Sequence, residues 1–298
     1  MPMDLLAVIE RKMPTFSKGQ KLIGRFITQH YDKAAFMTAS RLGDTVGVSE
    51  STVVRFATEV GFEGYPQLQK NLQEIIRNRL TTVQRMDIID GQIGGEDILS
   101  SVLSRVLTQD SEKIRRTLEE TDRAAFAQAV EAIVTAREVY ILGIRSSSML
   151  ASFLAFYFNQ IFPHVRCINS NSTSETFEQM FRIGKEDVFI PISFPRYSQR
   201  TLKAARYAKS RGATVIAITD STSAPLAQAA DILLLARSEM ASFVDSLVAP
   251  LSVINALIVA VGLRKKDEIT RTYATLESIW EEYQVYEKTE GPEEKQGS

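Results

Sequence analysis

The 298-residue chain predicts two folds in tandem: an all-α N-terminal region, then an α/β region in which five parallel strands are covered by helices on both faces. Three observations carry this. Apolar residues recur at helical spacing through the first 80 residues. From Glu138 onward five short runs rich in β-branched residues (EVYILGI, VRCIN, DVFIPIS, TVIAIT and DILLLAR) alternate with segments of helical character, the pattern of a parallel sheet with helical crossovers. Between the two regions the periodicity fails and glycines cluster in MDIIDGQIGGED, which marks an inter-domain connection. The expected division is a helical unit at 1–80, a linker and connecting helix at 81–120, the α/β domain at 121–287 and a disordered tail at 288–298.

Composition narrows the class. With 44% hydrophobic and 24% charged residues the chain has enough apolar surface for sizeable cores, which excludes wholesale disorder. No apolar run approaches the length of a membrane span, and MPMDLLAVIERKMP lacks the layout of a secretory leader, so a cytoplasmic protein with no membrane partner is expected. The single cysteine, Cys167, cannot form an internal disulfide, and His30 and His164 are the only imidazoles; no metal site and no cofactor are expected. Residues 1–80 carry 11 Lys/Arg against 8 Asp/Glu, so a modest positive lean sits in the helical unit.

Within that unit, SKGQKLIGRFITQH places Leu22, Ile23, Phe26 and Ile27 on one helical face, with Ser17 as cap. The stretch LGDTVGVSESTVVRF then reads as two short helices meeting at a turn. Thr38 caps the first, Leu42 faces inward, Gly43 permits close approach and Gly47 supplies the corner, because a residue without Cβ tolerates positive φ. Val48 and Val53 pack beneath the second helix, Ser49 caps it, and Ser49, Glu50, Ser51, Thr52 and Arg55 point outward. Hydroxyls and an arginine on such a helix suit phosphates and base edges in a major groove, so these five are the candidate DNA-binding residues. The next helix is marked by Leu68, Leu72, Ile75 and Ile76, and an amphipathic helix is expected from Glu96 to Glu120. Thr121 or Asp122 caps the following one, and helices from Ala241 to Leu263 and from Asp267 to Glu287 close the chain.

In a doubly wound sheet, ligands bind beyond the carboxyl ends of the strands, near helix N-termini that hold anions. Two segments qualify. LGIRSSSML offers Ser146, Ser147 and Ser148 after the first strand, and ISFPRYSQRT offers Ser193, Tyr197, Ser198 and Thr201 after the third. CINSNSTSETF is a weaker candidate through Asn171 and Ser172, since such runs more often form a cap and loop. Cys167 reads as a packing residue and His164 as a loop residue without a catalytic partner.

VSESTVVRFATEVGFEGYPQLQ resembles the N-terminal domain of the RpiR (MurR/RpiR) family of bacterial transcription regulators, through Val48, Ser49, Thr52, Val53, Arg55, Phe56, Gly61, Phe62, Gly64 and Tyr65. The resemblance implies a sugar isomerase (SIS) domain behind it, and hence a double-stranded operator and a phosphorylated sugar or sugar-acid effector as partners. It also carries Gly143, Ser147, Ser193 and Ser198 over as phosphosugar-binding positions. The chain departs from the family loops where Arg145 replaces a glycine and Pro195-Arg196 replaces Ser-Gly. Arg145 and Arg196 join the candidate set, and together they suggest a phosphate plus a carboxylate. An SIS-fold enzyme is the rival reading, with Glu175, Glu178 or Glu239 as base, but no motif supports catalysis and no catalytic residue is assigned. A scaffold recognising only protein leaves the hydroxyl-rich loops without a use. The apolar segment LVAPLSVINALIVAVG suits either the core or a subunit contact, and a homodimer or homotetramer is expected, since two-fold symmetry presents two reading helices to one operator.

Overall fold

A computed structural model describes residues 5–79, 98–170, 172–238 and 244–286. The glycine-rich connection, Glu96, Asn171, Glu239, Ala241, Glu287, the tail at 288–298 and the Ile76 side chain lie outside the described residues.

Among the described residues six helices form the N-terminal unit: α1 (Leu5–Lys12), α2 (Lys18–Gln29), α3 (Tyr31–Ala34), α4 (Ala39–Val46), α5 (Glu50–Glu59) and α6 (Tyr65–Arg79). Their inner faces meet in one core that includes Leu5, Ile9, Ile23, Ile27, Leu42, Val53, Phe56, Leu68 and Leu72, all fully buried. Burying each of these large side chains contributes roughly 1.5–3 kcal/mol before chain entropy is counted. Two expectations need correction. Leu22 is 40% exposed, because Ile23 and Ile27 rather than Leu22 point at the core. The first helix was also not anticipated, although Leu5, Val8 and Ile9 carry helical spacing.

The helix ends explain the local sequence. Ser17 and Gln20 form a reciprocal capping box on α2. Thr38 accepts from the Arg41 amide at 3.2 Å. Gly47 closes α4 in the left-handed conformation at φ 75°. A Cβ on Gly43 would sit 2.7 Å from the Val48 carbonyl oxygen, so any larger residue would push the corner open. Ser49 departs from its expected role: it occupies the N-cap position of α5, but its hydroxyl bonds to Ser51 and Thr52, each at 2.9 Å, and not to the helix backbone.

The second unit contains α7 (Ile98–Glu120), α8 (Arg123–Thr135), β1 (Val139–Gly143), α9 (Ser146–Ile161), β2 (Val165–Cys167), α10 (Thr173–Met180), β3 (Val188–Ile192), α11 (Gln199–Ser210), β4 (Thr214–Thr219), β5 (Ile232–Leu235), α12 (Val248–Arg264) and α13 (Lys266–Glu282). All five strands are parallel, in the order β2-β1-β3-β4-β5. Strand alternation assigns the two faces. Val139, Ile141, Ile190 and Ile216 pack against α8, α9 and α12, while Tyr140, Leu142, Phe189 and Val215 pack against α10 and α11. Asp122 caps α8, accepting from the Ala124 and Ala125 amides at 2.8 and 3.1 Å.

Two boundaries shift relative to the sequence reading. Residues 81–120 read as a linker and connecting helix; α7, which covers 98–120, packs on α12 and buries Lys113 and Thr117. The apolar helix expected from Ala241 begins at Val248, and residues 244–247 form an irregular segment, three of whose residues line the cleft at the carboxyl edge of the sheet. Among the described residues no single helix is long and apolar enough to cross a membrane; α12 and α13 pass that test only as a pair bent by 99°.

Candidate functional site

The outward side of α5 carries Ser49, Glu50, Ser51 and Arg55 exposed and Thr52 half-buried. Arg55 folds back along its own helix, its Nε donating to the Ser51 carbonyl at 3.2 Å and Nη2 to Thr52 Oγ1 at 3.4 Å. Both bonds are exposed and long, so the guanidinium exchanges them readily for an external acceptor. The N-terminus of α2 abuts this face. A shallow groove runs between the two helix starts, lined by Ser17, Gly19, Gln20, Val48, Ser49, Thr52 and Arg55. Gly19 makes the contact possible, since a Cβ there would meet Thr52 Cγ2 at 3.3 Å. Sequence reasoning overlooked Gly19 and Gln20, although a glycine in the first turn of a predicted helix signals close approach.

The second site lies at the carboxyl ends of β1 and β3. After β1 the chain runs to β2 on one side, and β3 lies on the other, so the strand order reverses at this point. An open cleft of about 450 Å³ sits there, lined by Ile144, Arg145, Ser146, Ser147, Ser193, Phe194, Pro195, Arg196, Ser198, Val244, Asp245 and Leu247. On one wall, α9 starts at Ser146 and directs its free amides toward the opening. Ser147 is 5% exposed, and its hydroxyl makes no hydrogen bond among the described residues. On the facing wall, Ser193 is equally buried and its Oγ accepts from the Ser198 amide at 3.3 Å. Ser198 Oγ in turn caps α11, accepting from the Thr201 amide at 3.2 Å.

Arg145 and Arg196 hold unusual backbone conformations, φ 59° and φ 67°; among the described residues only Gln284, at the end of α13, is another non-glycine with positive φ. These are the two positions where the loops of the SIS family, which the chain resembles, are expected to carry glycine. An L-residue held there costs on the order of 1–3 kcal/mol, and such strain collects at ligand-binding loops. Both side chains are exposed at the rim of the cleft.

The remaining candidates stand behind the cleft. A Cβ on Gly143 would lie 2.1 Å from the Ser147 carbonyl oxygen, so this residue lets α9 approach the strand end. Ser148 donates to the Arg145 carbonyl at 2.6 Å and braces the strained turn. Tyr197 turns away from the opening, its hydroxyl donating to the buried Asp220 at 2.9 Å. Thr201 is fully buried in α11, its hydroxyl without a partner. Ser172 bonds Ser174 at the start of α10, and Ser170 donates to Glu175 at 2.6 Å; neither residue pair lines the cleft. Burial pushes the Cys167 thiol up, which suits packing better than redox chemistry. The wall formed by Val244, Asp245 and Leu247 was missed, because it reaches the cleft only through the fold.

Comparison with known proteins places these features. The model of the rpiR-family helix-turn-helix domain matches residues 3–79, and that of the SIS domain matches residues 132–260. The chain belongs to the RpiR family. An uncharacterised HTH-type transcriptional regulator of Caldanaerobacter subterraneus subsp. tengcongensis is 26% identical over 272 residues, covering 90% of this chain and 94% of its own. The sugar isomerase domain of the RpiR transcription factor from Sphaerobacter thermophilus is 27% identical, with a TM-score of 0.56 over 59% of this chain and 97% of its own. The Vibrio vulnificus NanR protein, solved in complex with ManNAc-6P, shares the fold across 93% of this chain and 99% of its own, at 20% identity and a TM-score of 0.55. As an RpiR-family protein the chain is a helix-turn-helix transcriptional regulator joined to a SIS domain.

Proposed function

We propose that the SIS domain binds a phosphorylated sugar in the cleft between the starts of α9 and α11, and that occupancy alters how α5 reads operator DNA. One observation carries the reading: two arginines held at positive φ and two almost fully buried serines, one of each after β1 and after β3, line a single cleft at the strand-order reversal. In this reading the α9 amides with Ser146, Ser147, Ser193 and Ser198 hold the phosphate, and Arg145 and Arg196 supply charge-assisted bonds at the rim. Gly143, Ser148, Tyr197 and Thr201 act behind them by shaping the loops.

Asp245 bears on the ligand class. From sequence, two arginines beside one anion site favoured a phosphate plus a carboxylate. With Asp245 on the wall, one of those positive charges is offset. That balance suits a phosphomonoester on an uncharged sugar, with the aspartate accepting from sugar hydroxyls; the sugar acid is the second reading, favoured by the arginine pair alone. The reading is of a sensor and not an enzyme. Among the described residues lining the cleft Asp245 is the only carboxylate, and Glu175 is engaged by Ser170.

On DNA, Arg55 with the hydroxyls of Ser49, Ser51 and Thr52 meets phosphates and base edges, while Glu50, at the start of α5, can accept from a cytosine amino group. Two copies related by a two-fold axis would present paired α5 helices to the operator. The test is a thermal-shift screen of the full chain against sugar phosphates, sugar-acid phosphates and their unphosphorylated parents. Selective stabilisation by phosphorylated sugars supports the reading; equal response to the unphosphorylated parents, or none to any, removes it. Calorimetry then separates the classes: Asp245→Asn should weaken a neutral phosphosugar and strengthen a sugar-acid phosphate.

A further inference from the structure

The α/β domain holds a largely buried ion pair, Lys113 buried and Asp110 partly so, that no part of the cleft chemistry uses. Lys113 of α7, its side chain 5% exposed, donates to Asp110 one helical turn earlier at 2.9 Å. Asp110 also accepts from the Ser246 hydroxyl at 2.7 Å. Ser246 lies between Asp245 and Leu247, both of which line the cleft. A second set of bonds joins the same two regions. Ser238, 1% exposed, donates to the Ser246 carbonyl at 3.0 Å; its neighbour Arg237 donates its amide to the buried Thr117 hydroxyl at 2.9 Å and pairs with Glu120. The cleft wall is therefore fastened to α7 over almost three turns of that helix, from Asp110 to Glu120.

Burial raises the pKa of Asp110, but the Ser246 and Lys113 hydrogen bonds and the Lys113 charge outweigh it and hold the carboxyl below the usual range. A buried ion pair seldom adds net stability over well-packed apolar residues of the same volume, but it does fix one arrangement over its alternatives. Here the arrangement fixed is the register of segment 244–247 on α7. That helix is also the first described element of the α/β domain, next in the chain after the residues that follow the DNA-reading unit.

We propose that Asp110, Lys113 and Thr117 are positioning residues that latch the cleft wall at 244–247 to α7, so that a ligand touching the wall biases the first described helix of the α/β domain. The proposal rests on the cleft being the effector site. Communication of this kind requires a connected element with two arrangements whose balance the ligand shifts, and the latch supplies the connection.

Hydrogen–deuterium exchange on the full chain tests it, with inorganic phosphate as probe. In ligand-free protein Ser246→Ala should speed exchange at both 244–252 and the middle of α7 by about tenfold, the loss of one charge-assisted hydrogen bond read as an opening equilibrium. Phosphate should slow exchange in both segments of the unaltered protein, but only at the cleft in Ser246→Ala. The pair-replacing variant Asp110→Leu/Lys113→Met, which leaves no buried charge unpaired, should fold and show the same uncoupling. Equal protection of α7 in all three proteins, or protection of the cleft alone in the unaltered one, overturns the latch while leaving the cleft reading intact. Phosphate protection nowhere overturns the cleft reading, and the latch falls with it.

Discussion

The two units of this molecule solve the same backbone problem with opposite residues. In the helical unit the corner between α4 and α5 requires positive φ and uses Gly47, with open space where a Cβ would be. In the α/β unit the turns after β1 and β3 also require positive φ, and arginines stand there. Glycine is the low-energy choice at such a turn. Where the turn only redirects the chain, glycine stands; where it overlooks the cleft, the chain retains a strained residue with a charge on it. The comparison teaches that local stability has been given up at two strand ends and kept at the α4–α5 corner.

The harshest way to probe that contrast is to add a methyl group where the backbone has no room. Gly143→Ala should cost more than about 3 kcal/mol, because its Cβ would collide with backbone rather than with a movable side chain. Gly43→Ala should cost less, about 1–3 kcal/mol, its nearest contact being 2.7 Å away. Urea unfolding of each variant gives the order directly, and a milder Gly143→Ala would mean that α9 can slide away from β1.

Arg145→Gly bears on the strained turn itself. It should raise stability by roughly 0.5–1 kcal/mol, strain relief outweighing the entropy of the added glycine, while weakening phosphosugar binding about tenfold or more. Calorimetry and melting on one sample read both. A variant that is less stable, or binds equally well, would break the comparison at its centre.

On the DNA side, Arg55→Ala should weaken operator binding by about 1–3 kcal/mol and leave phosphosugar affinity unchanged; if the residue meets a phosphate, the salt dependence should also flatten by about one ion. Smallest of all is a contrast between two neighbouring caps. Thr38→Ala should cost about 1 kcal/mol, whereas Ser49→Ala should cost only a few tenths, since the Ser49 hydroxyl does not bond the backbone of its helix. Equal melting temperatures for the two would show that the hydroxyl cluster of Ser49, Ser51 and Thr52 is worth a cap.

How much of this was legible in the sequence follows from range. Period and punctuation are local, so the five strands, the Gly47 corner and the Ser17 cap could be read directly, and Asp122 as one of two adjacent cap candidates. The two phosphate-loop candidates were equally readable, because each is one contiguous strand-to-helix turn. What failed was non-local or depended on a rotamer. Val244, Asp245 and Leu247 come within reach of Arg145 only after the sheet has formed. Tyr197 sits in a binding-loop motif, yet finds Asp220 at the end of another strand. Ser49 has the right residue type for a cap, but two competing hydroxyls lie within 2.9 Å. The attachment of α7 depends on Ser246, 136 positions beyond its partner Asp110.

The strand order carries a consequence for how the protein comes into being. The core of the DNA-reading unit closes among residues 5–75, all made before the α/β domain begins. The cleft draws on residues 144–147, then 193–198, then 244–247, and β1 cannot pair with β3 until the latter has emerged. Domains fold in the order they leave the ribosome, and contacts between distant segments form late. A nascent chain thus completes the core that carries α5 well before the segments of the cleft are all available, and on the proposed reading the DNA-contacting helix is finished before the site that would govern it.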